Sequence, residues 1–217
     1  MNAHFVSLAL FLLATPTMAV TLYQQDTFAS GLQDWKGSNT HMFWREDGGP
    51  NGTGDGYMEV NSTGTGGPGS RWVVFNQVQW TGDFPFQPVE GIRFDVNNTG
   101  STAVNLRVVF GDSNGPDDNS GSWFASTVPI VIQPGSGWTS VYFPLSDNDL
   151  VSVQGPEEYD DLMGVVQTMR ILSSANPAAK GDRIAAQVGI DNIQAVPEPT
   201  SGVLILAGVF LCIKRRR

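Results

Sequence analysis

Apolar and polar residues alternate with a period of two through much of the chain. In Gly91-Ile-Arg-Phe-Asp-Val-Asn97, the residues Ile92, Phe94 and Val96 fall on one side and Arg93, Asp95 and Asn97 on the other, as in a strand with one buried face. Leu106, Val108 and Phe110 repeat the pattern against Asn105 and Arg107. The Asn97–Ser101 cluster between them is a turn signal, so these two runs are expected to pair as a hairpin. Further strands are predicted at Leu22–Phe28, Tyr57–Asn61, Arg71–Trp80, Trp123–Gln133, Trp138–Leu145, Val165–Leu172 and Ile184–Ala195. The stretches Asp47–Gly56, Gly64–Ser70 and Gly111–Ser122 are too polar and glycine-rich for strands and are expected to be end loops. Short strands separated by turn residues, with no long helical period between the two ends, predict one all-β domain over residues 20–195. Its economical form is a two-sheet antiparallel sandwich.

The ends follow other rules. Phe5–Ala14 is an apolar run followed by Thr15-Pro-Thr-Met-Ala19, whose small residues at 17 and 19 suit a signal-peptidase site. Residues 1–19 are therefore expected to be a signal helix removed after Ala19. Residues 196–217 begin with Val196-Pro197-Glu198-Pro199, continue through an uncharged stretch from Gly202 to Ile213 and end in Lys-Arg-Arg-Arg. A helix from Thr200 to Ile213 would reach about 21 Å at 1.5 Å per residue, less than a hydrocarbon core of ~30 Å. It is expected to be a short membrane helix whose basic end stays cytoplasmic. The order of proline-flanked glutamate, apolar stretch and arginine run resembles the PEP-CTERM sorting signal of Gram-negative bacteria. That resemblance implies an exosortase partner that cuts near Pro197, Glu198 and Pro199. It also implies export through the inner membrane, transient anchoring and delivery to the cell surface or medium.

Composition narrows the body further. Of 217 residues, 25 are Gly and 13 Pro, with only 15% charged, which suits many turns and few surface helices. The net charge is −9, and without the four-residue basic tail it is near −13. Such a body is a poor partner for a nucleic-acid backbone. Its field also favours neutral glycans, or acidic ones bridged by calcium, over bare polyanions. The lone Cys212 excludes internal disulfides and cysteine-rich zinc sites.

Asp26-Thr-Phe, Gly31-Leu-Gln-Asp-Trp35, Gly54-Asp-Gly-Tyr57, Gly137-Trp-Thr and Gly189-Ile-Asp191-Asn-Ile193, in that order, resemble the galactose-binding-like jelly roll shared by many carbohydrate-binding modules. The resemblance implies a structural calcium held by Asp26 and Asp191 beside the Gly54–Gly56 loop, which could supply the oxygen ligands such an ion needs. Sugar binding requires exposed aromatic faces with hydrogen-bonding groups beside them. Phe43, Trp44, Trp72, Trp80 and Trp123 are the candidates. Trp44, next to Arg45, Glu46 and Asp47, and Trp123, at the close of a polar loop, are the favoured pair, whereas Trp35 and Trp138 read as core anchors. Enzymatic signals are thin. His41 is the one histidine after the leader, no Gly-x-Ser-x-Gly elbow is present, and the carboxylate runs Glu157-Glu158 and Asp160-Asp161 have no distinguishing spacing. The expected function is that of an exported, non-enzymatic surface protein that binds glycan or sits in a polysaccharide matrix. A purely structural or adhesive protein, and a glycoside hydrolase, are the alternatives.

Overall fold

The computed structural model describes residues 19–37, 41–116 and 121–197. Glu198 and Pro199, the C-terminal apolar stretch, the basic tail and the leader up to residue 18 lie outside them. Among the described residues no helix is long and apolar enough to cross a membrane. Val20, the residue that the expected cleavage would leave first, is fully buried and donates its backbone N–H to Thr81 O at 2.8 Å.

The described chain forms β1 (Gln25–Asp26), β2 (Met42–Arg45), β3 (Tyr57–Thr63), β4 (Val73–Asn76), β5 (Gly91–Asn98), β6 (Val104–Gly111), β7 (Trp123–Ser126), β8 (Ile130–Ile132), β9 (Thr139–Pro144), β10 (Leu150–Gln154), α1 (Tyr159–Met163), β11 (Thr168–Ser173) and β12 (Ala185–Val196). All strand pairs are antiparallel. One sheet runs β2-β3-β12-β5-β9 with β1 beside β12, and the other runs β10-β7-β6-β11-β4 with β8 beside β6. The expected two-sheet sandwich is present.

The core is built by the alternation that the sequence shows. Ile92, Phe94 and Val96 of β5 meet Leu106, Val108 and Phe110 of β6 across the interior, all fully buried. These two strands belong to different sheets, however, so the expected hairpin is instead a crossover. Asn98 sits at the switch. Its buried side-chain amide donates to Thr102 O and Ile132 O at 2.9 and 3.0 Å, and its Oδ1 accepts Gly100 N–H. The turn thereby satisfies its own polar groups while the chain passes between layers.

Two further details position the functional surfaces. First, β12 carries a bulge between Asp191 and Gln194, where Asn192 adopts a left-handed φ of 51°. The extra residue resets the alternation: Val188 and Ile190 face the core before the bulge, and Ile193 and Ala195 after it. Second, residues 174–183 fold over the outer face of the β10–β4 sheet. There Val109, Trp123, Ala125, Leu172 and Ala179 form a small second core. Buried Arg107 pins this segment by donating to Ser174 O at 2.9 Å, to Ala175 O at 2.8 Å and to Ser126 O.

Candidate functional site

The outer face of the β2–β9 sheet carries the polar half of each alternation. Across the ladder, Phe43 pairs with Glu59, Glu59 with Gly189, and Gly189 with Asn97. One step along, Arg45 pairs with Tyr57, and Asp191 with Asp95, which pairs with Ser140. Gly189 makes room for an aromatic pair. A Cβ there would lie 2.9 Å from the Trp138 ring and 3.1 Å from that of Tyr57, and these two rings meet edge to face at 5.3 Å between centroids. Trp138 also reaches the Asp47–Gly56 loop, donating its indole N–H to Gly48 O at 3.0 Å. It is half-buried on this outer surface, not the core anchor expected of it.

Hydrogen-bonding groups flank the pair. Glu59 forms an ion pair with Arg45 at 2.8 Å and accepts from Asn61 Nδ2 at 3.2 Å. Burial acts to raise its carboxyl, but hydrogen bonding and charge from Arg45, with help from Asn61 and Gln187, hold it below the usual range. Asp191 is the opposite case. It accepts the Asn192 backbone N–H at 2.7 Å, yet burial, together with the charges of Asp55 and Asp95, pushes it up to about 7. Asn192 links the two strands by donating to Asp95 Oδ2 at 2.9 Å. A buried carboxyl with so raised a pKa on an outward face marks a functional candidate.

The site residues expected from sequence divide sharply. Trp44 lies on the edge strand β2 with 40% of its surface exposed, its indole N–H fixed on Phe28 O at 2.7 Å. It borders a shallow depression with Arg45, Glu46 and Asp47. Trp123 is corrected: it is 0% exposed beneath the 174–183 segment, and the Arg170 guanidinium lies over its ring at 4.7 Å. No face of Trp123 is open to a sugar. Trp72 and Trp80 are likewise buried, whereas Phe43 is half-exposed beside Arg45.

The calcium pairing of Asp26 and Asp191 is also corrected. Asp26 pairs with core-facing Ile193, and its Oδ2 accepts the indole N–H groups of Trp35 and Trp80 at 2.7 and 2.6 Å and the Gln79 amide at 2.9 Å. Asp191 pairs with outward Asp95. The bulge places the two carboxylates on opposite faces of one sheet, so they cannot share an ion. Asp26 is a buried acceptor tying tryptophans together. Among the described residues no group of three or more His, Cys, Asp or Glu side chains is arranged to hold a metal.

A cavity of about 640 Å³ adjoins the same sheet at the end of β9. Tyr142, Pro144, Tyr159 and Met163 line it together with Glu90 and Asp147. Tyr142 packs over Gly91, where a Cβ would meet its ring at 2.1 Å. The sequence did not single out Tyr57, Trp138 or Tyr142 as binding residues. A detectable signal was present in Gly91 and Gly189, glycines inside strand patterns, which often mark the close approach of another group.

By architecture this sandwich is a jelly roll. The chain is similar to the solution structure of CtCBM11, with a TM-score of 0.54 and 16% identity over 82% of this chain and 96% of that one. It is also similar to a family 11 carbohydrate-binding module from Clostridium thermocellum in complex with a β-1,3-1,4-mixed-linked tetrasaccharide, with a TM-score of 0.50 and 16% identity over 80% of this chain and 95% of that one. An exo-β-agarase matches with a TM-score of 0.57 and 17% identity over 82% of this chain, which spans only 25% of the agarase. No protein-family model matches the chain, and no curated protein matches it at a significant level.

Proposed function

We propose that residues 20–195 are a non-catalytic glycan-binding domain whose ligand lies across the outer face of the β2–β9 sheet. The observation that carries this reading is the Tyr57–Trp138 pair seated over Gly189 and flanked by Glu59, Arg45, Asn97 and Asp95. Aromatic surface takes up the C–H faces of a sugar, while carboxylates, amides and a guanidinium bond its hydroxyls. Phe43, paired with Glu59, extends the surface toward the β2 edge, whereas Trp44, paired with core-facing Met58, leaves the strand on the other side. Two solved structures of a family 11 binding module match over nearly their whole length, which supports a binding role over a catalytic one. The same likeness makes neutral β-glucans the first ligands to try. The two terminal patterns support export, with the chain held briefly at the membrane, processed by an exosortase and released to the cell surface or matrix.

The test is titration calorimetry of residues 20–195 with neutral oligosaccharides, beginning with β-1,3-1,4-linked glucan fragments and guided by a glycan array. Trp138→Ala and Tyr57→Ala are expected to weaken binding at least ten-fold. Absence of any neutral glycan ligand, or binding indifferent to both substitutions, would refute the assignment of this face.

A further inference from the structure

The chain is acidic overall, yet half of the cations of its body are gathered in one place. The basic residues between 20 and 195 are Lys36, Arg45, Arg71, Arg93, Arg107, Arg170, Lys180 and Arg183. Arg71, Arg170, Lys180 and Arg183 line a single groove of about 380 Å³ on the outer side of the other sheet. Phe75 and Pro68 supply its apolar wall, and among the described residues no acidic side chain lines it. Lys36 pairs with Phe75 and so lies on the same face. Asp182, between Gly181 and Arg183, has its carboxylate engaged elsewhere, accepting Ala175 N–H at 2.7 Å and the Ser174 hydroxyl at 3.4 Å.

The arrangement runs against folding stability. Arg71 and Arg183 are directly opposed across an antiparallel bridge, a placement of like charges that is destabilising. It is also prepared in advance. The Arg71 guanidinium donates to Gly181 O, and that of Arg170 lies over the Phe75 and Trp123 rings at 5.6 and 4.7 Å. The Arg107 anchor holds the whole segment that carries Lys180 and Arg183. Planar guanidiniums fixed around a groove match the paired oxygens of a carboxylate or sulfate.

We infer that this groove binds the carboxylate or sulfate group of an acidic polysaccharide, giving the domain a second glycan site opposite in charge to the rest of its surface. The choice of a saccharide as the carrier rests on the glycan-binding reading above, whereas the anion site itself does not. A nucleic acid is the poorer partner because its dense phosphate charge would meet the acidic body on both sides of the groove. Sparse charges along a sugar chain let one anion enter while neutral rings lie on Phe75 and Pro68. Net charge near −13 outside the tail describes the whole body and not this groove, whose lining among the described residues holds four cations and no carboxylate.

The experiment measures binding of oligogalacturonate, a sulfated oligosaccharide, a neutral glucan fragment and inorganic sulfate to residues 20–195 by calorimetry. Wild type is compared with Arg183→Gln, Arg71→Gln and Trp138→Ala. Both arginine substitutions are expected to weaken at least one acidic oligosaccharide about ten-fold and leave Trp138-dependent neutral binding unchanged. Raising the salt from low to high should weaken acidic binding alone. Arg183 is exposed, so its variant keeps the test valid if Arg71→Gln unfolds the loop. Acidic binding in the absence of neutral binding would sustain the groove and defeat the sheet-face assignment. Acidic binding indifferent to both arginines, or absent altogether, overturns the inference. Inorganic sulfate bound as tightly as the oligosaccharides would make this a small-anion site and would overturn it as well.

Discussion

Replacing Asp191 by asparagine should remove the fall in stability that this carboxyl imposes between about pH 4 and pH 7. The Asp191 carboxyl rises from an ordinary 3.8 to about 7 because it is buried near Asp55 and Asp95. Between those two values the folded protein holds a proton that the unfolded chain has released. Unfolding free energy therefore falls as pH rises, by at most about 1.4 kcal/mol per unit. Stability from this group is fully present below about pH 4, declines through the window and is gone above about pH 7. Over the whole window the ceiling is about 4 kcal/mol. The amide introduced by Asp191→Asn would have the same shape and could still accept the Asn192 N–H through its oxygen, but it has no charge to bury. The variant should match wild type near pH 4 and exceed it at pH 8 by up to that ceiling. Glu59, whose carboxyl is lowered, contributes the opposite slope to both proteins and cancels in the difference. Urea unfolding followed by tryptophan fluorescence, at half-unit steps from pH 4 to 8, measures the effect. Parallel stability curves for the two proteins would show that Asp191 does not titrate near neutrality and would refute the reasoning.

Asp26→Ala should cost about 3 kcal/mol or more in denaturant unfolding, since two indole N–H groups and an amide lose their buried acceptor. With Asp26 and Asp191 on opposite faces, thermal melts in excess chelator and in millimolar calcium should coincide, and a clear rise with calcium would require another set of ligands. Trp123→Ala should destabilise by roughly 3–5 kcal/mol, whereas Trp44→Ala, at a residue 40% exposed, should change stability by about 1 kcal/mol and leave glycan binding at the outer sheet face unchanged. Equal destabilisation by both would place Trp44 in the core. Intact mass of protein recovered outside its native cells should lack residues 1–19 and the basic tail, and a full-length chain of 217 residues would contradict the proposed processing.

Period-two alternation was enough to identify the layers, because each core-facing row, such as Ile92, Phe94 and Val96, is also a local pattern. Two of the edge strands, β2 and β10, escaped it. In β2 and β10 most residues are open to solvent, so neither face needs to be apolar and no alternation appears. The crossover at Asn98 was illegible for a related reason. A turn that closes a hairpin and one that passes between sheets use the same residue types, and only the distant partner Ile132 distinguishes them.

The candidate site depended on tertiary structure still more. Trp123 and Trp138 both follow polar, glycine-containing loops, and nothing local separates them. One is buried because residues 174–183 fold back over it, and the other is presented because Gly189, far along the chain, leaves space beneath its ring. The expected pairing of Asp26 with Asp191 failed at a single bulge, where Asn192 moves Ile193 back to the core side and parts the two carboxylates. The basic groove follows the same principle, since its four cations come from three separated stretches of chain. The sequence by itself determined which residues alternate and therefore that two sheets enclose a core. Which of the outward residues meet, and on which face, was decided only when the strands took their partners, because a sheet joins side chains by register across it and not by nearness along the chain.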